Sequence, residues 1–198
     1  TITQRIGFKV AGGNYRFKMN IYTLIPYDLE KNLGGAYNKF MDLLEDDDWA
    51  VFLDHDAMFT TPDWMRTIEK TITNNPEYGF FTCLTNRIGS AWQKMQGVEE
   101  NNHDIVYHRH IGNQVSERTQ TPVDVTNAPY LSGVVMIVKK SVWNKIGGAP
   151  DGMLGVDGQL HIRCVENDVK LGLIPNLYVY HWYRGDGQTN HLQNKQRY

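Results

Sequence analysis

Five consecutive apolar residues, Trp49-Ala50-Val51-Phe52-Leu53, run directly into the polar triplet Asp54-His55-Asp56. A strand with one face in water alternates apolar and polar positions. A short unbroken apolar run instead reads as an interior strand covered on both faces. Val134-Val135-Met136-Ile137-Val138 has the same character, and residues 78–83 read as another short strand. Ile21-Tyr22-Thr23-Leu24-Ile25 is a further strand, stopped by Pro26, and Leu177-Tyr178-Val179-Tyr180 is the last, delivering His181.

Helical patterns fall between these strands. From Leu33, the residues Tyr37, Phe40, Met41 and Leu44 recur at the spacing of one buried face, and the acidic run 45–48 ends that helix. Thr61-Pro62 supplies an N-cap and a first-turn proline for a helix that buries Met65, Ile68 and Ile72. A short helix from Ser141 stops at Gly147-Gly148, and a longer one runs from about Val156 to Gly172. Strand and helix in alternation predict an α/β fold with a mostly parallel, Rossmann-like sheet flanked by helices. Residues 1–198 read as a single domain. A short strand is expected at 6–10, with a turn at Gly12-Gly13-Asn14, and the polar tail 185–198 is expected to be mobile. Over residues 84–130 the rhythm is lost. That stretch is polar, contains three histidines, and reads as one long functional loop.

Composition narrows the partners. The 198 residues are 41% hydrophobic and 21% charged, with a formal net charge of −2. No basic field is present to recruit nucleic acid or an anionic membrane. No apolar run approaches the length of a membrane span and no signal-peptide core is seen, so a cytoplasmic location is the expectation. Cys83 and Cys164 each lie in an apolar stretch without a metal-type partner, which predicts two buried free thiols.

Chemistry gathers at strand and helix ends. Asp54 and Asp56 follow the buried strand immediately, and ligands of open α/β sheets collect beyond the carboxyl ends of the strands. Two carboxylates one residue apart can offer hard oxygen ligands to Mg²⁺ or Mn²⁺, although a solvated acidic turn would look the same. His181 follows another apolar strand and would complete a carboxylate–imidazole site, or would simply be hydrogen-bonded there. Asp157, after a glycine-rich turn and at a helix start, reads as a cap or as a general base, with Asp151 as the fallback. His108 and His110 would share a strand face, but with His103 they lack a further ligand at metal-like spacing and read as polar loop histidines. Trp92, Trp182 and Tyr183 could stack on sugar rings or pack in the core.

Taken in order, these pieces resemble a GT-A glycosyltransferase of the family 2 type, from about Ile21 to Arg184. Asn32-Leu33-Gly34-Gly35-Ala36-Tyr37-Asn38 resembles the segment ahead of the acidic strand, and Phe52-Leu53-Asp54-His55-Asp56-Ala57 the DxD metal motif. Leu131-Ser132-Gly133, Lys139-Lys140-Ser141-Val142-Trp143 and Ile146-Gly147-Gly148 are similar to the acceptor-side stretch. Gly155-Val156-Asp157 with Arg163 resembles the segment bearing the catalytic carboxylate, and Tyr180-His181-Trp182-Tyr183-Arg184 the late histidine ligand with its basic follower.

The resemblance implies transfer of a sugar from a nucleotide-sugar, UDP-linked, to the hydroxyl of an acceptor glycan or other molecule, with Mn²⁺ or Mg²⁺ on the diphosphate. It implies that Asp56 and His181 bind the metal, with Asp54 nearby on the ribose or a metal-bound water. Pro26, Tyr27 and Asp28 would line the base and ribose, with Asn32 and Asn38 on the same side. Arg87 and Arg184 would offset phosphate charge, Asp157 would deprotonate the acceptor with inversion, and residues 84–130 would lie on the acceptor side. The strand–helix unit that family members usually carry between the first strand and the DxD strand is missing here. Val156 stands where many relatives have a second acid. Two other functions stay open. A nucleotidyltransferase would need a better phosphate loop than Gly12-Gly13 with Arg16, and a non-catalytic binding module of this form would not need Asp157 to face the metal pocket.

Overall fold

A computed structural model describes residues 2–4 and 19–182 of the chain. The expected strand at 6–10, the Gly12-Gly13 turn, Arg16, Tyr183, Arg184 and the tail lie outside the described residues. In chain order the elements are β1 (Ile2–Gln4), β2 (Ile21–Leu24), α1 (Leu33–Met41), β3 (Trp49–Leu53), β4 (Ala57–Phe59), α2 (Trp64–Asn74) and β5 (Tyr78–Thr85). Then follow a 3-10 turn (Ala91–Gln93), α3 (Ile105–Ser116), β6 (Val123–Asp124), β7 (Val135–Lys139), α4 (Lys140–Lys145), α5 (Val156–Glu166) and β8 (Lys170–His181).

The architecture is α/β, but the sheet is mixed rather than mostly parallel. Its strands run β1-β2-β3-β7-β5-β8-β4, with β6 added on β8. Parallel pairing is confined, among the described residues, to β2 with β3 and β5 with β8. The physical reason is β7. It arrives from the long 84–130 segment and enters antiparallel between β3 and β5, in the slot that a strand–helix crossover would otherwise have filled with a parallel neighbour. Because β7 opposes both neighbours, β2, β3, β5 and β8 still point the same way. Their carboxyl ends therefore meet at one edge of the sheet, while β7 begins there.

Every residue of β3 is buried, as an interior strand requires. Ala50 and Phe52 enter a core shared with Tyr37 and Met41 of α1, Trp143 of α4 and Leu160 of α5. Trp49, Val51 and Leu53 enter the opposite core, with Ile68 and Ile72 of α2. Alternate side chains of one strand thus hold two layers of helix to the sheet, each fully buried large one contributing roughly 1.5–3 kcal/mol. Cys83 and Cys164 are buried free thiols, as expected, and burial pushes both of them up.

Local boundaries depart from expectation in four places. The stretch 84–130 is not one irregular loop: it extends β5 to Thr85 and carries the 3-10 turn, α3 and β6. The buried face of α3 is His108, Gly112 and Val115, so apolar periodicity could not reveal it, and His108 and His110 lie on a helix rather than a strand. Secondly, Thr61 is not the cap of α2. Residues 61–63 form a turn, and Asp63 precedes the first helical residue. Thirdly, Ala57–Phe59 forms a strand directly after the acidic triplet. Finally, α5 ends at Glu166 because Asp168 turns left-handed (φ 52°) and Val169 N–H bonds back to the Cys164 carbonyl at 2.9 Å. The chain released there becomes β8, far longer than the last four residues expected of it.

Helix α1 is pinned against the loop before α5. Gly34 N–H donates to the Gly152 carbonyl at 3.0 Å, and a Cβ on Gly34 would overlap the Pro150 carbonyl. Backbone cannot yield as a side chain does, so Gly34→Ala is expected to cost about 1–3 kcal/mol. The check is the denaturant midpoint at unchanged m-value; an unaltered midpoint would show that the loop simply moves aside.

Candidate metal centre

Backbone pairing assembles this site before any side chain is considered. Asp54 leaves β3 with its N–H bonded to the Val134 carbonyl, and the turn that follows is closed by Ala57 N–H on the Asp54 carbonyl, both at 3.1 Å. Strand β4 then pairs antiparallel with β8, Ala57 opposite His181, and Trp182 N–H bonds to the Asp56 carbonyl at 3.0 Å. Asp56, in the turn one residue before β4, is thereby carried to His181, although more than half the chain separates them in sequence.

His181 Nε2 lies 3.2 Å from Asp56 Oδ1 and 3.9 Å from Asp54 Oδ2. One ligand atom from each of the three residues lies within 4.8 Å of the others. An octahedral ion with bonds of about 2.1 Å places adjacent ligands about 3.0 Å apart and opposite ones about 4.2 Å apart, so the spacings suit such an ion. The imidazole is also oriented through its other nitrogen. Its Nδ1–H donates to the Arg87 carbonyl at 2.9 Å, so Nε2 faces the carboxylates; it donates to them when the ring is protonated and would offer its lone pair to a cation when the ring is neutral.

The two carboxylates differ. Burial pushes Asp54 up to about 6, against the pull of His181 and with help from the charges of Asp56 and Asp157. Its side chain is 36% exposed, but that surface opens into a recess. For Asp56 burial also opposes ionisation, yet the hydrogen bond and charge of His181 hold it below the ordinary carboxylate value.

The recess beside Asp54 is lined by Leu33, Tyr37, Gly133, Met153, Leu154 and Asp157. Asp157 sits in the first turn of α5. Its Oδ2 accepts from Gly133 N–H at 2.8 Å and its Oδ1 from Gly158 N–H at 2.9 Å, so both oxygens are fixed in direction while each keeps a further lone pair. Gly133 eases that approach, since a Cβ there would come within 3.2 Å of the Asp157 Cβ and one of the two would have to shift by a few tenths of an ångström. Tyr37, expected only as a core residue, reaches the same recess. Burial first, then the charges of Asp54 and Asp157, push its phenol upward.

Other expected site residues are placed as follows. Pro26, Tyr27 and Asp28 follow β2 at the same sheet edge, with Tyr27 exposed. Asp28 Oδ1 accepts from Glu30 N–H and Asn32 N–H, and Oδ2 pairs with Lys39, which together lower its pKa. Asn32 caps α1 through Gly35 N–H and ties it to Gly152 N–H and Asp151, while Asn38 grips both backbone groups of Ala149. Both amides thus join α1 to the loop before α5, and Asp151 is engaged by Asn32. Arg87 contributes its carbonyl to His181; Arg184 lies outside the described residues.

The remaining histidines and aromatics are accounted for by packing. His108 is fully buried between the Asn102 carbonyl and the Tyr178 hydroxyl. His103 bonds the Tyr180 hydroxyl, and His110 contacts Gln114. Trp92 bonds the Tyr130 carbonyl and packs on the core, whereas Trp182 is half-exposed beside His103.

One residue that carries much of this geometry was invisible in the sequence. Asn86, 1% exposed, bonds the backbone of His181, and nothing in its local pattern marks it. No protein-family model matches the chain, and no curated protein matches it. Among the described residues, no helix is long and apolar enough to cross a membrane.

If the cluster takes a divalent cation, protons compete for Asp54. Mn²⁺ affinity is expected to hold between pH 8 and 7 and to weaken by up to about tenfold per unit below pH 6, as one carboxyl proton must leave. Titration calorimetry at several pH values checks this; a flat profile from pH 7 to 5 removes Asp54 from the site.

Proposed function

We propose that the protein is a metal-dependent glycosyltransferase that moves a sugar from a nucleotide-sugar to an acceptor hydroxyl. The observation that carries this reading is the convergence of Asp54, Asp56 and His181 at one sheet edge, with Asp157 lining the recess beside Asp54. The ordered motifs of the GT-A family 2 type support it. So does the common direction of β2, β3, β5 and β8, which gathers the ends of these strands where α/β sheets bind ligands. A UDP-linked donor is the family's implication.

Asp54, Asp56 and His181 would hold Mn²⁺ or Mg²⁺, and the mixture of carboxylate and imidazole suits Mn²⁺ well. Such an ion offsets diphosphate charge and so stabilises the leaving group. Asp157 is the base: with its oxygens oriented by Gly133 N–H and Gly158 N–H, it takes the proton of the attacking hydroxyl. In-line attack from that side inverts the anomeric carbon. Leu33, Met153 and Leu154 give the recess apolar walls beside the polar groups. Asp157 lines the recess beside Asp54, as a base must and a binding-only module does not require, and that favours the catalytic reading.

Calorimetry against a panel of nucleotide-sugars, with Mn²⁺ and with EDTA, tests the donor site. Binding is expected only with metal, and Asp56→Ala should weaken it by at least about tenfold. Metal-independent binding, or binding indifferent to Asp56→Ala, sinks the proposal. Asp157→Asn should retain donor binding and lose about 10²–10⁴ in turnover, the usual contribution of a positioned base. Full turnover in that variant would remove the base assignment alone.

A further inference from the structure

We propose that Asn86 is a positioning residue for the metal centre, acting through His181; this rests on the reading of Asp54, Asp56 and His181 as metal ligands. Parallel pairing of β5 with β8 ends at Thr85 opposite Val179. Beyond that point the Asn86 side chain takes over from the ladder. Its Oδ1 accepts from His181 N–H at 2.8 Å, and its Nδ2 donates to the His181 carbonyl at 3.1 Å. The second Nδ2 hydrogen goes to the Glu100 carbonyl at 3.3 Å, and the Thr85 hydroxyl donates to Oδ1 at 3.4 Å. All four hydrogen-bonding positions of the amide are therefore used, in a site that is 1% exposed.

The next residue completes the grip, because the Arg87 carbonyl receives Nδ1–H of the same histidine. One dipeptide thus fixes both the backbone and the ring of His181, while β4 holds the other edge of its backbone. An imidazole ligand needs its ring plane and its tautomer set together, and here the side chain of Asn86 fixes the height at which the Arg87 carbonyl meets the ring. Asparagine suits this task because it offers an acceptor and two donors on a short stem. Aspartate keeps the shape but cannot donate, and alanine keeps neither.

The experiment is Mn²⁺ titration by calorimetry and EPR, with the visible absorption of the Co²⁺-substituted protein as the signature of imidazole ligation. Wild type, Asn86→Ala, Asn86→Asp and Thr60→Val are compared. Thr60 is the control for general loosening of β8, because its hydroxyl bonds the Tyr178 carbonyl of that strand at 2.9 Å without touching a ligand residue. Asn86→Ala and Asn86→Asp should each lose about 10–100-fold in Mn²⁺ affinity and change the Co²⁺ spectrum. Thr60→Val should lower thermal stability with metal affinity within about twofold of wild type. If Asn86→Ala does not fold, the Asn86→Asp protein decides. Wild-type affinity and spectrum in a folded Asn86 variant overturn the inference while leaving the metal site standing, and equal losses in Thr60→Val overturn it too. A wild-type protein that binds no Mn²⁺ overturns both.

Discussion

The pairing of Ala57 with His181 is the contact on which the site depends. It joins the three residues of β4, placed directly after the acidic triplet, to the far end of the longest strand in the sheet. A strand as short as β4 has little stability of its own. It is held by its ladder to β8 and by Trp182 N–H on the Asp56 carbonyl. The other edge of His181 is gripped by Asn86, so the imidazole stands between two independent supports.

Behind this edge lies ordinary packing. β3 and β7 run through the middle of the sheet with their side chains shared between two cores, and the helices on each face are amphipathic partners of those cores. Nothing in either core requires an acidic cluster. The polar groups sit where the strands stop, on backbone that the cores immobilise, and a rigid support of that kind is what a precise arrangement needs.

Electrostatically the edge is frustrated. Asp54 and Asp56 crowd one histidine, with the charge of Asp157 across the recess, and burial first, then the repulsion of Asp56 and Asp157, pushes Asp54 up to about 6. Crowded carboxylates repel one another, and under the proposed function a cation between them would relieve that repulsion. Asp157 lies outside the Asp54–Asp56–His181 group and is fixed by backbone N–H groups, which under the proposed function would separate a base from a ligand set.

Much of this was legible along the chain. The unbroken apolar run of β3, the periodicity of α1 and the acidic triplet all depend on neighbours within a few residues, and pattern alone located them. Asp54, Asp56 and His181 were legible as candidates because each follows an apolar strand. α3 was not, because its buried face is a histidine, a glycine and one valine; β4 was too short to show a period. The antiparallel entry of β7, the Ala57–His181 register and the Asn86 clamp were decided only in three dimensions. The reason is physical: a residue's intrinsic preference can specify strand or helix, but strand order and register are set by which distant backbones satisfy one another's hydrogen bonds. The same asparagine could have served as well in a solvent-exposed turn, and only its burial against His181 gives it a task.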